Sequence, residues 1–229
     1  MLTMRGHIDP CWLFVYRAPS EALRPLLPAA LELVTKDDFG FVNIVVCRLH
    51  RMRPAVIPFP LPLSYWHIAY RLYARYGSDE GLYFLRSDAD SPLVSLAGNW
   101  LTSFQFHNAR VSVHQSDLGS QISVRAPSAN VDAMPSAESQ IELQPGSPFP
   151  NLEAAAAFLK YKPAAFSVDA GKVRVLRITR DESVWRSRLA RVGKARFEYL
   201  EKICPEAELE LCYEVEPIDY VWNRAEAMK

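Results

Sequence analysis

Arginine, histidine and tyrosine recur at every second position of one short segment. In an extended conformation, residues 64–76 place Tyr65, His67, Ala69, Arg71, Tyr73 and Arg75 on one face and Trp66, Ile68, Tyr70, Leu72 and Ala74 on an apolar opposite face. A guanidinium can grip a carboxylate through two parallel hydrogen bonds, and tyrosine and histidine add further donors. Strand positions two apart lie about 6.7 Å from each other, so Arg71 could share a small ligand with Tyr73. This polar face either meets water, as one side of an antiparallel sheet often does, or lines a wet cavity. A second segment, 105–115, carries Gln105, His107, Ala109, Val111 and Val113 on one face and Phe106, Asn108, Arg110, Ser112 and His114 on the other. His107 among apolar neighbours is either a satisfied core histidine or a general acid or base tuned by burial.

The remaining reactive side chains point to no local signature. There is no G-x-S-x-G elbow, no G-x-G-x-x-G loop and no P-loop. His7, His50, His67, His107 and His114 form neither H-x-H nor H-x-x-x-H, so no metal site is expected and no cofactor is called for. Cys11, Cys47, Cys204 and Cys212 show no C-x-x-C spacing and sit beside apolar residues, as reduced core cysteines do. Asp88 and Asp90 could partner His107, but they precede Ser91-Pro92 and read better as caps of a helix near 91.

The elements that must position these residues are mostly strands. Turn clusters such as Lys36-Asp37-Asp38-Phe39-Gly40 and Gly77-Ser78-Asp79-Glu80-Gly81 separate expected strands at 11–16, 31–35, 40–49, 64–76, 81–88, 105–115, 120–126, 139–144, 163–169, 173–180 and 210–222. Helices are expected at 19–27, 91–101 and 151–161, the last capped by Asn151, with a fourth over 194–203. Phe41–Cys47 is apolar on both period-2 faces and must be covered on each side. So many strands with so few helices exclude alternating βαβ units and favour a mostly antiparallel β-barrel with helices packed outside, an α+β but mainly β fold. Four prolines between Arg53 and Pro62 make a rigid extended loop, either a lip over a pocket or an ordinary surface loop.

Composition sets the outer bounds. The chain of 229 residues is 49% hydrophobic and 23% charged, with 26 basic against 26 acidic residues. That composition folds, and the balanced charge supplies no global field for nucleic acid or an anionic membrane. The basic stretch Arg186–Arg196 is followed by several glutamates and reads as a solvated face of mixed sign. The apolar run Cys11–Tyr16 is too short for a signal core or a membrane span, so a cytoplasmic location is expected.

Several stretches, in order and with matching spacing, resemble the uncharacterised YqjF-like family (domain of unknown function 2071) of the acetoacetate decarboxylase-like superfamily. They are Cys11-Trp12-Leu13 through Pro19-Ser20-Glu21-Ala22-Leu23-Arg24-Pro25 with Leu31-Glu32-Leu33; Gly81-Leu82-Tyr83-Phe84-Leu85 through Asp88-Ala89-Asp90-Ser91; Phe104-Gln105-Phe106-His107-Asn108-Ala109-Arg110; and, later, Phe158-Leu159-Lys160-Tyr161 and Cys212-Tyr213 with Trp222. The resemblance implies a single acetoacetate decarboxylase-like domain over 1–229, a mainly antiparallel barrel with a ligand cavity. True decarboxylases of this superfamily carry a lysine pair, one member forming a Schiff base with the keto acid. Ser103-Phe104-Gln105-Phe106-His107 is similar to that stretch, so Phe106 and His107 stand in place of both lysines, and no lysine occurs between Lys36 and Lys160. Arg71 is similar in place to the arginine of the family's E-x-N-x-R strand, whose acidic and amide members are His67 and Ala69 here.

The expected function is therefore a barrel without Schiff-base chemistry that binds a small carboxylate, with Arg71 as anchor and Tyr73, Phe106, His107 and Asn108 shaping the pocket. Two alternatives remain at this level: an enzyme using His107 as general acid or base on a carbonyl or lactone-like substrate, and a structural protein whose barrel is filled. A homo-oligomer is compatible with each.

Overall fold

The computed structural model describes residues 3–59, 63–101, 104–117, 119–137, 141–160, 162–169 and 171–228. Strand β1 (Met4–Pro19) contains the apolar run at 11–16 and extends it in both directions. It runs into the one-turn helix α1 (Ser20–Leu23) and a 3-10 turn at Arg24–Leu26. Short strands β2 (Glu32–Leu33) and β3 (Thr35–Lys36) lead through Asp37, at φ 53°, into the long strand β4 (Phe39–Pro54). β5 (Tyr65–Tyr76) and β6 (Asp79–Ala89) form a hairpin whose turn places Gly77 at φ 58°, a conformation glycine adopts without steric cost. α2 (Pro92–Leu101), β7 (Phe106–Asn108), β8 (Arg110–Ser116), β9 (Gly119–Arg125) and β10 (Val131–Ala137) follow. α3 (Leu152–Leu159) starts where expected, with the Asn151 side chain accepting from Ala154 N at 2.8 Å. The chain ends in β11 (Ala164–Asp169), β12 (Lys172–Arg180), β13 (Ser187–Phe197), α4 (Glu198–Ile203), β14 (Glu208–Val215), β15 (Ile218–Trp222) and β16 (Glu226–Ala227).

Seven strands close on themselves in the order β1-β4-β5-β6-β11-β12-β15 and back to β1. Only the β6–β11 contact is parallel, so the barrel is mainly antiparallel, as expected. The odd-numbered residues of its first three strands (Cys11, Leu13, Val15; Val45, Cys47, Leu49; Tyr65, Ala69, Tyr73) share the interior cluster, while Trp12, Phe14, Val42, Ile44, Val46, Ile68, Tyr70 and Leu72 form an exterior one. All eight of these exterior side chains are at most 1% exposed. Burying each contributes roughly 1.5–3 kcal/mol, so the outer face is a core in its own right.

What covers that outer face is chiefly a second sheet, β14-β13-β10-β9-β8, with α4 at its edge. β1 makes this possible: Met4–Ile8 pair with β15 to close the barrel, whereas Cys11–Arg17 pair with β14 and hand the chain on to the second sheet. Phe41–Cys47 is thus covered on both sides. Two strands of the second sheet were not anticipated. β10 contains Pro135, which ordinarily forbids a strand, but a register shift between Ala133 and Pro135 accommodates it. β13 occupies the basic stretch, so only 198–203 of the expected 194–203 helix is helical. The expected strand at 105–115 is two pieces broken at Ala109, paired with different sheets. Of the expected strand at 139–144, residues 139–140 lie outside the described residues and 141–144 are not strand. Among the described residues no helix is long and apolar enough to cross a membrane.

Candidate functional site

The strand register gathers reactive groups that lie far apart in sequence. Cys11 faces Cys47 directly across β1–β4, and Cys47 faces His67 directly across β4–β5. All three point into the barrel, and His67 lies four residues along β5 from Arg71. Arg71 is 5% exposed; its Nη2 donates to Asn43 Oδ1 and its guanidinium lies 5.7 Å from the Phe84 ring centroid. Asn43 Nδ2 in turn donates to Tyr73 Oη at 3.4 Å, and Tyr73 Oη donates to the Leu159 carbonyl at 2.7 Å. A short polar chain therefore anchors the arginine to the start of the α3–β11 connection.

Cys11, Cys47, His67 and Arg71 line a small compartment of about 60 Å³, walled also by Arg180, Trp185, Tyr220 and apolar strand residues. Water needs only about 10–15 Å³ on this scale, so the space takes a carboxylate head or a few waters. Arg180 Nη1 donates to Tyr220 Oη at 3.0 Å and Nε to Glu182 at 2.9 Å, with its guanidinium 4.2 Å from the Trp185 ring centroid. His67 Nε2 and Trp185 Nε1 are buried with no hydrogen-bond partner among the described residues. Leu49, His67, Phe84, Ile178 and Trp222 are shared with a second, larger compartment of about 280 Å³ whose remaining wall is almost wholly apolar. Pro54 and Leu63 contribute to its wall, while residues 60–62 of the proline-rich segment lie outside the described residues. Among the described residues lining the two compartments there is no lysine and no carboxylate.

Charge is distributed unequally over the row. Hydrogen bonding from Cys11 pulls the Cys47 thiol well below the usual range, and the His67 and Arg71 charges add to this against the opposing effect of burial. The same contact with Cys47, together with burial, pushes Cys11 up. Burial raises the Tyr65 and Tyr73 phenols, which remain neutral donors at pH 7.

The residues singled out in the sequence are placed as follows. Arg71 is on the cavity wall. Tyr73 is fully buried behind it and positions Asn43 rather than meeting the cavity. Phe106 lines the larger compartment, stacked on His67 at 5.3 Å, with its backbone held at both ends by the Asn99 side chain of α2 at 2.7 and 2.8 Å. Gly98 lets the helix come this close, since a Cβ there would lie 2.5 Å from the Phe106 ring. His107 and Asn108 do not join them. They are exposed, His107 Nδ1 lies 3.4 Å from the Ser87 carbonyl, and Asn108 borders a shallow surface groove beside Arg110 and Arg125. The cause is the brevity of β7: it pairs with β6 for three residues, turns only Phe106 inward and then leaves for the second sheet. Asp88 and Asp90 do not cap α2 either. Asp88 pairs with Arg86 at 2.7 Å, Asp90 accepts from Trp66 N at 2.7 Å, and Ser91 takes the capping position. Asn43, Cys11, Cys47 and Arg180 were not anticipated as site residues. Asn43 had a signal, being the one polar side chain in the apolar run Phe41–Cys47.

The barrel has the fold of acetoacetate decarboxylase-like proteins. The chain is similar in fold to an acetoacetate decarboxylase-like enzyme from Sphingomonas wittichii RW1 (11% identity, TM-score 0.68, covering 100% of this chain and 93% of that one). It is similar also to the enduracididine biosynthesis enzyme MppR complexed with pyruvate (9% identity, TM-score 0.68, 100% and 91% covered) and to acetoacetate decarboxylase from Legionella pneumophila (10% identity, TM-score 0.67, 98% and 87% covered). No curated protein is significantly similar in sequence. Residues 10–213 match the DUF2071 family, described as an uncharacterized conserved protein, and the chain belongs to that family.

Proposed function

We propose that this protein binds a small organic carboxylate, with the carboxylate against Arg71 in the inner compartment and an apolar remainder in the outer one. The observation that carries this reading is a buried guanidinium on the wall of a cavity whose described lining residues include no carboxylate. A guanidinium fixed at a cavity wall can donate charge-assisted hydrogen bonds to an incoming carboxylate. His67 Nε2 and Trp185 Nε1 give the same anion, or a carbonyl beside it, two further polar contacts. Together the compartments sum to little more than the lower end of the usual range for ligand pockets, roughly 300 Å³, which restricts the ligand to a small acid. The pyruvate complex of the structurally similar MppR supports a carboxylate in this fold.

Schiff-base decarboxylation is not part of this function. Phe106 and His107 are proposed to stand where decarboxylases carry their lysine pair, and neither can form an imine. The test is a calorimetric or thermal-shift screen of monocarboxylic and keto acids against the full chain, repeated with Arg71→Ala and Arg71→Met. Loss of about tenfold or more in affinity for the carboxylate hits, with no change for neutral esters of the same acids, is the expected result, matching the roughly 1.5–3 kcal/mol of a charge-assisted hydrogen bond. Unchanged carboxylate affinity in both variants would refute the anchor. A borohydride-reducible adduct with a keto acid would refute the exclusion of imine chemistry.

A further inference from the structure

Carboxylate binding uses Arg71 and leaves the two cysteines beside it without a role. Cys11 and Cys47 are direct cross-strand partners on antiparallel strands, both side chains are inward, and both line the inner compartment. Opposed antiparallel residues have Cα atoms about 4.5–5.5 Å apart, inside the roughly 4.4–6.8 Å that a disulfide spans, so a bond can form between them with little backbone movement. On the other flank of Cys47, His67 supplies an imidazole whose Nε2 has no hydrogen-bond partner among the described residues. Cys212 is buried in the outer core, where burial raises its thiol, and Cys204 lies in that same outer core.

We infer that Cys47 and Cys11 form a redox-active dithiol that is oxidised by organic hydroperoxides entering through the apolar compartment, with Cys47 as the attacking sulfur, His67 as proton donor and Cys11 as the resolving thiol. The Cys47 thiolate attacks the terminal peroxide oxygen and the O–O bond breaks. The departing alkoxide takes a proton from His67 and leaves as an alcohol, and Cys47 becomes a sulfenic acid. Cys11 then attacks the Cys47 sulfur, the sulfenic hydroxyl leaves with the Cys11 proton as water, and the S–S bond forms. The two sulfurs lose two electrons and the peroxide gains them. The lowered Cys47 thiol and raised Cys11 thiol fit this division of labour, since the thiolate is the nucleophile. This inference does not require carboxylate binding, although both use His67 and the inner compartment.

The test treats the reduced full chain with one equivalent of cumene hydroperoxide at pH 7, blocks remaining thiols with N-ethylmaleimide and maps the products by mass spectrometry. The expected outcome is a Cys11–Cys47 cystine, with only Cys204 and Cys212 left for the maleimide, and oxidation about tenfold or more faster than that of N-acetylcysteine. Cys11→Ala is expected to stop at a Cys47 sulfenic acid trapped by dimedone, and His67→Gln to slow the first step about tenfold while leaving the cystine as the final product. Oxidation first at Cys204 or Cys212, a rate equal to that of N-acetylcysteine, or a sulfenic acid on Cys11 in Cys47→Ala would each overturn the assignment. If a variant does not fold, the site and rate of oxidation in the unsubstituted chain decide the matter.

Discussion

Near the end of β1, Arg17 donates to Glu210, to Glu208 and to the Pro145 carbonyl, while Ser147 occupies the other oxygen of Glu210. In the middle of β5, Arg71 is met by the neutral amide of Asn43, which is held by Tyr73, and it faces a void. Both guanidiniums are at most 5% exposed. The first is closed by carboxylates of the chain itself, and such a network holds strands together. The second is held by the Asn43 amide on the wall of a cavity, where we propose that it meets a ligand. Burial of an arginine alone therefore says little; what surrounds it separates structure from site.

Substitutions that exchange these environments break or sharpen the comparison. The largest effect is expected for Arg17→Ala, which leaves Glu210 buried beside Ser147 without its cation. A loss of about 3–5 kcal/mol in urea unfolding is expected, with carboxylate binding retained in the folded fraction. A loss below about 1 kcal/mol would mean that the Arg17 network is not structural in this sense. Next comes Arg71→Met, where stability is expected to change by less than in Arg17→Ala while carboxylate affinity falls about tenfold or more. Equal destabilisation in the two variants would erase the distinction. Tyr73→Phe removes the donor to Leu159 and the support of Asn43, and a stability loss of about 1 kcal/mol with a severalfold weaker carboxylate affinity is expected from calorimetry.

The smallest effect belongs to a less buried version of the same pairing. Lys162 and Arg75 both contact Glu80 at 2.8 Å and hold its carboxyl below the usual range, against slight desolvation. The carboxyl is lowered on folding, so its contribution is present above the unfolded value, near pH 4.5, and disappears as pH falls through the folded one. Because the group is about one-third exposed and screened by solvent, Glu80→Gln should cost less than about 1 kcal/mol at pH 7 and nothing at pH 2. Urea unfolding at both pH values measures it.

Much of the frame was legible beforehand, for reasons that can be located. Alternation on 64–76 put His67, Arg71 and Tyr73 on one side, and the two-sided apolar run of β4 demanded cover on both. Where the reading failed, long-range pairing had overridden local pattern. No strand was expected at β10, whose proline is accommodated by a register shift, and the charged stretch of β13 read as a solvated face running into a helix over 194–203 until pairing with β10 and β14 fixed it as a strand. His107 and Asn108 followed from treating 105–115 as one strand, whereas Ala109 is where the chain changes sheets.

Composition and periodicity by themselves favoured a mainly antiparallel barrel, because a period of two and the absence of crossover-length helical segments leave few other ways to bury so many apolar strands; they put Arg71 on a polar face but left open whether that face meets water or a cavity. They also settled that the central strands carry no primary amine. The tertiary structure alone decided which side chains meet. Register is set by closure of the whole barrel, so only the folded chain could bring Cys11, Cys47 and His67 into one row, hang Arg71 on Asn43 and turn Phe106 inward while leaving His107 outside.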